Sequence, residues 1–386
     1  MHTPTPYQKL RFGAVRIFIC AIFFGLTTPQ GFGGGHVRLT DGTNEYEGKV
    51  LALSSSRCSL LDKQGKLVHL KVQSLKSFEK VSPRYQPYST SAFRQELRKE
   101  FPGYEVAGST RYLVCGPKGR ASKYAKLFDS IYRDVEQFYR VRGFRVVTPE
   151  VPLVAIVFGS QKEFVKYCVR DKVPPSSTLM GYYSLLSNRV ALFDEDNSLS
   201  SSAPIQQTPH SKYASILAVA GISGDTANTI IHETTHQVGY NIGVHSRLGN
   251  TPIWLVEGLA TALEPSGMRS NRGRNLQDDR LNPERAYWFA KRHRPTRMSG
   301  NLALLVASDE YFHRQVLNSY SESWAFTFYL LETPARRQEL IKYLQTLSTR
   351  DPSEPYSAKQ RLADFQAAFN DISRLELEFL RFMDRM

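Results

Sequence analysis

Apolar residues recur at three- and four-residue steps at Tyr124, Leu127, Phe128, Ile131, Tyr132, Val135, Phe138 and Tyr139, the stripe of an amphipathic helix. Before it, "TRYLVCG" is strand-like, and after it "VPLVAIVFGS" (151–160) is a nearly unbroken apolar run between Pro and Gly, which predicts a buried strand. "QKEFVKYCV" predicts a short helix, and "GYYSLL" with "NRVALFDE" (188–195) a hairpin. From the polar stretch 196–212 onward the pattern turns helical, through "SESWAFTFYLLE" (321–332), "RRQELIKYLQTL" (336–347) and 361–386. Strands first and helices later predict an α+β unit over residues 108–386. Residues 36–80 differ: short strand-like runs separated by Asp-Gly, Ser-rich and Gln-Gly turns predict a small β unit. The Pro-, Ser- and charge-rich stretch 81–107 between them is expected to be a linker with a short helix.

Composition adds two points to this picture. Of 386 residues 41% are hydrophobic and 22% charged, an ordinary globular mixture that excludes global disorder. The net charge of +14 would suit an acidic polymer, but the basic residues are scattered and no nucleic-acid fingerprint accompanies them. No specific nucleic-acid partner is expected, and a solvated basic surface is the simpler reading. At the N-terminus, Lys9, Arg11 and Arg16 precede the apolar "IFICAIFFGL" (17–26) and a Gly-rich stretch. This is the layout of a signal peptide over residues 1–33, with an uncleaved membrane anchor as the alternative. Export to the periplasm, cell surface or medium follows, with no stable membrane span after cleavage. Cys58, Cys115 and Cys168 would remain, without CxxC spacing; at most one disulfide is possible, and small buried apolar residues are expected instead.

The candidate chemistry sits in "IIHETTHQVGYNIG" (230–243). A helix from an Asp225 N-cap to about Ile242 would put His232 and His236 one turn apart on one face, able to share a metal ion, with Glu233 beside them. A catalytic zinc usually takes three protein ligands. Three residues past Gly239, where a third His would complete HExxHxxGxxH, stands Ile242, and His245 lies too far along. Glu257 is the better third ligand. It lies in "NTPIWLVEGLATALE" (250–264), expected as a helix with Thr251 as N-cap and Pro252 at its first position. Among Trp254, Leu255, Leu259, Ala262 and Leu263 a carboxylate needs a partner or a metal.

Together "HETTH…WLVEGLA" resembles the gluzincin zinc metallopeptidases, and within them the peptidase-MA-like proteins of unknown function of planctomycetes and related bacteria. The pattern is carried by His232, Glu233, Thr235, His236, Gln237, Pro252, Trp254, Leu255, Glu257, Gly258 and Ala260, with "SYSESWAFTFYLLE" resembling a later helix of that family. The resemblance implies a gluzincin-like fold over 108–386 and a Zn2+ ion held by His232, His236 and Glu257. Glu233 would act as general base on an activated water, and a peptide or protein would be the substrate. A Tyr from a later helix would stabilise the oxyanion; Tyr320 is the candidate, with Tyr311 and His313 behind it. "NRVALF" would offer an edge to an extended peptide, and whether 196–224 covers the site is not readable from the sequence. "VRLTDGTNEYEGKVLALSSSRCSLLDKQGKLVHLKVQSL" resembles the Sla-type SH3-like homology domain, which implies a small barrel and a protein partner bound through residues 36–80. The alternative to an enzyme is a catalytically idle peptidase-like scaffold that binds partners at a cell surface.

Overall fold

The computed structural model describes residues 34–195, 224–249, 251–269 and 277–386. The signal-peptide segment, the stretch 196–223 that was a candidate cover for the site, and the basic run 270–276 lie outside the described residues. Among those described, no helix is long and apolar enough to cross a membrane. Two compact units account for them: residues up to Leu60 with His69–Gln86, and Leu61–Val68 with Pro87–Met386.

The smaller unit is built on a five-stranded sheet ordered β4-β3-β2-β1-β5. Its strands are β1 (His36–Thr40), β2 (Glu45–Leu53), β3 (Arg57–Asp62), β4 (Leu67–Lys71) and β5 (Ser77–Ser82). Asp41 makes the β1–β2 turn: its Oδ1 accepts from the N–H groups of Thr43 (2.9 Å) and Asn44 (2.7 Å), while Gly42 takes φ 93°. Strand β5 returns antiparallel to β1, not to β4, so the sheet stays open. Of the expected SH3-like barrel, the structure gives a five-stranded sheet that is not closed, with β5 exposed along its length.

The larger unit is α+β. Its sheet is ordered β6-β7-β8-β10-β9, from β6 (Glu105–Gly108), β7 (Tyr112–Gly116), β8 (Leu153–Phe158), β9 (Gly181–Ser184) and β10 (Arg189–Phe193). Strands β7, β8 and β10 run parallel, and β6 and β9 are antiparallel at the two ends. Alternation divides the core cleanly. Val114, Ala155, Val157, Val190 and Leu192 face the side packed with α2 (Ala121–Val141) and the C-terminal helices. Leu113, Cys115, Val154, Ile156, Phe158, Ala191 and Phe193 face the other side, with α1 (Thr90–Glu100) and α3 (Gln161–Arg170). Strands buried on both faces are why this region reads as continuous apolar runs.

Two expectations need correction here, and the one for the cysteines holds. The stretch 81–107 is more than a linker: α1 buries Phe93 and Leu97 in the core and β6 joins the sheet, so from Pro87 onward it belongs to the larger unit. "NRVALF" is not an edge, because β10 lies between β8 and β9. The edge next to it is β9. All three cysteines are buried and free, so no disulfide forms among the described residues.

Candidate metal centre

The HETTH motif lies on α4 (Gly224–Asn241), whose depth is set from the side facing the sheet. Gln237 is fully buried and its Nε2 donates to Val154 O (3.0 Å) and Asn188 O (2.8 Å), pinning the helix to β8 and to the residue before β10. Closer to β9, a Cβ on Gly181 would stand 2.8 Å from Thr229 Cγ2, so glycine is what lets α4 lie against that strand. Held in this way, His232 and His236 bring their Nε2 atoms to 3.0 Å with the ring planes at 88°.

The third donor comes from α5 (Ile253–Ala262). Its N-cap is not Thr251 as expected but Pro252, which offers no side-chain acceptor. The Ile253 N–H instead donates to Asp309 Oδ1 (3.0 Å), a carboxylate held by Arg361 at 2.8 and 2.7 Å. Helix α5 then crosses α11 (Val316–Glu332) at Gly258, where a Cβ would meet Thr327 Oγ1 at 2.2 Å and Ser323 O at 2.6 Å. The residue after the third ligand is therefore glycine so that the two helix backbones can approach.

Glu257 is brought to the histidines by this crossing. Its Oε2 lies 3.2 Å from His232 Nε2 and 3.5 Å from His236 Nε2, and is buried without an aligned hydrogen-bond donor. A tetrahedral ion with bonds of about 2.0–2.2 Å sets its ligand atoms about 3.3–3.5 Å apart. The observed edges of 3.0, 3.2 and 3.5 Å come within about 0.3 Å of that triangle, and two nitrogens with one carboxylate oxygen are a donor set zinc accepts. These three residues form the one such group of potential metal ligands among the described residues.

Electrostatics describe the same convergence. Burial alone would lower the His232 pKa, but Glu257 and Glu264 outweigh it and hold it well above the usual range. Burial would raise that of Glu257, yet the charge of His236 and the nearby His232 imidazole hold it well below the usual carboxylate range.

Glu264 was missed in the sequence. Its Oε1 lies 2.8 Å from His232 Nδ1 and its Oε2 accepts from Asn282 Nδ2 at 2.6 Å. A carboxylate on the far nitrogen of a metal-binding histidine fixes which nitrogen is free to bind. The spacing gave little signal, because Glu264 lies just past the end of α5, beyond its C-cap Leu263.

The remaining candidates divide. Tyr320, on α11, is half-buried with its ring 4.9 Å from that of Phe312. Burial, then the carboxylates of Glu257 and Glu233, push its hydroxyl pKa up, which places that hydroxyl among the site's charged groups. Glu233 is half-buried on the motif helix. Tyr311 and His313, on α10 (Asp309–Arg314), belong elsewhere: the Tyr311 hydroxyl accepts from Asn301 Nδ2 at 2.9 Å, and His313 is exposed. The chain breaks at Gln315 between α10 and α11, so spacing across it does not preserve a face. Ile242 is fully buried core. His245 packs against Tyr240 and against Gly239, where a Cβ would come 3.0 Å from its Cδ2. Burial, reinforced by His236, drops its pKa to about 3, so this ring stays neutral. Gly239 thus makes room for His245 and does not prepare a third histidine ligand.

A family model described as "Protein of unknown function (DUF1570)" matches residues 226–354, the segment that contains His232, Glu233, His236, Glu257, Glu264 and Tyr320. No protein of curated function matches the chain.

Proposed function

We propose that the chain is a zinc-dependent peptidase of the gluzincin kind. The observation that carries this reading is the triangle of His232 Nε2, His236 Nε2 and Glu257 Oε2, with edges of 3.0–3.5 Å. These residues would hold the ion, with Glu264 orienting His232 through its Nδ1. When bound, zinc supplies Lewis acidity at the substrate carbonyl and lowers the pKa of a water.

The chain's own groups supply the rest. Glu233, next to the first ligand, accepts the proton of the attacking water and delivers it to the leaving amine. The Tyr320 hydroxyl stays protonated at neutral pH, as a hydrogen-bond donor to a developing oxyanion must. Strand β9, antiparallel at the end of the sheet order beside α4, is the edge against which an extended peptide would pair.

The test is metal content together with cleavage of a broad peptide library. About one zinc per chain and cleavage that disappears in Glu233→Gln are expected. Bound zinc without cleavage of any peptide or protein would overturn the peptidase reading.

A further inference from the structure

Arg285 is a half-buried cation at the edge of the same site. It lies on α8 (Pro283–Trp288), and Asn282 ties that helix to the metal-ligand frame. The Asn282 Oδ1 accepts from Arg285 N at 3.1 Å while its Nδ2 donates to Glu264 Oε2, whose carboxylate holds His232. The Arg285 guanidinium carbon stands 5.2 Å from the centre of the Tyr320 ring.

Its charge is poorly met. Among the described residues its nearest carboxylate is that of neighbouring Glu284, 3.5 Å from Nη1 and 78% exposed, against 20% for Arg285. Arg285 Nε is buried and meets no acceptor among the described residues, as is also true of Arg189 and Arg350, so what sets Arg285 apart is that its Nη groups have no close carboxylate. Arginines of comparable burial elsewhere in this unit are closely paired: Arg361 with Asp309 at 2.7 and 2.8 Å, Arg189 with Glu100 at 2.7 Å, Arg350 with Asp364 at 2.9 Å. Leaving a guanidinium in this state costs free energy that a bound anion would offset. A planar guanidinium matches a carboxylate geometrically.

We propose that Arg285 anchors a substrate carboxylate beside Tyr320, which makes the preferred substrate a peptide bearing a free C-terminus or an acidic side chain near the scissile bond. This rests on the peptidase reading of the same site. Arg285 acts here as a specificity-determining residue, not as a catalytic one.

Binding can be measured without turnover in zinc-loaded Glu233→Gln protein, using three probes: an acetylated alanine pentapeptide with free carboxylate, its C-terminal amide, and the amide carrying one glutamate. At least one carboxylate-bearing probe is expected to bind about 10- to 100-fold more tightly than the neutral amide, and the two carboxylate probes separate the two sources. In Arg285→Met the preference should collapse to less than about threefold, with zinc content and affinity for the neutral amide unchanged. If that variant does not fold, Arg285→Lys carries the test, because it keeps the charge but loses the planar fork; a reduced preference supports the proposal and an unchanged one overturns it. Equal binding of acid and amide by the zinc-loaded protein overturns the subsite alone. No binding of any peptide overturns the peptidase reading and the subsite with it.

Discussion

With its Nδ1 held 2.8 Å from the Glu264 carboxylate, His232 keeps the Nε2 lone pair free for a metal only as long as that contact lasts. Glu264→Gln is expected to weaken zinc binding by about 10- to 100-fold without abolishing it, read by competition with a chelating dye. Tyr320→Phe removes only a hydroxyl, and should lower kcat by about 100-fold with zinc content unchanged; an unaltered kcat would return Tyr320 to a packing role. At this scale the converging His232, His236 and Glu257 were legible and their support was not. His232, His236 and Glu257 stand out because a turn-spaced pair and a carboxylate in an apolar helix are hard to satisfy otherwise. Glu264 sits at the end of its helix, where an acidic residue attracts no notice. Tyr311 and His313 lie on a separate helix that ends at Gln315, which nothing in their residue types discloses.

Two features of α5 determine where Glu257 stands. The first is its crossing with α11, where Gly258→Ala would force a methyl onto Ser323 O, a backbone atom that cannot step aside. About 1–3 kcal/mol of destabilisation is expected, measured by urea denaturation, with a drop in zinc content as Glu257 shifts. The second is the remote cap. Burial would raise the Asp309 pKa, but the Arg361 guanidinium and the Ile253 N–H outweigh it and lower it. A lowered folded pKa means this stabilisation is fully present above the unfolded value of about 3.9 and is lost as pH falls through the folded value. Asp309→Asn should therefore cost about 1–3 kcal/mol at pH 7, with the gap to the parent protein narrowing below about pH 4. Helix α5 itself was legible from its apolar content. Its cap was not, because the acceptor lies 56 residues away.

For the whole molecule, the α+β order was readable because strands enclosed on both faces leave unbroken apolar runs. What escaped depended on partners far apart in sequence. Helix α1 buries only Phe93 and Leu97, too narrow a stripe to distinguish it from a linker. Barrel closure turns on where β5 pairs, and its exposed residues carry no pattern that says so. The cysteines behave as small apolar residues: burial pushes the Cys58 thiol up to about 11 and that of Cys115 up to about 12. Iodoacetamide at pH 7.5 should leave Cys58, Cys115 and Cys168 unmodified in the folded protein and label all three in denaturant, as mapped by peptide mass spectrometry.

The claim on which the rest depends is that His232, His236 and Glu257 hold one zinc ion. Elemental analysis of protein purified without chelators, beside Glu257→Gln prepared identically, tests it directly. About one zinc per chain is expected in the parent and a small fraction of that in the variant. A parent protein without zinc, or a variant that keeps as much as the parent, would contradict it.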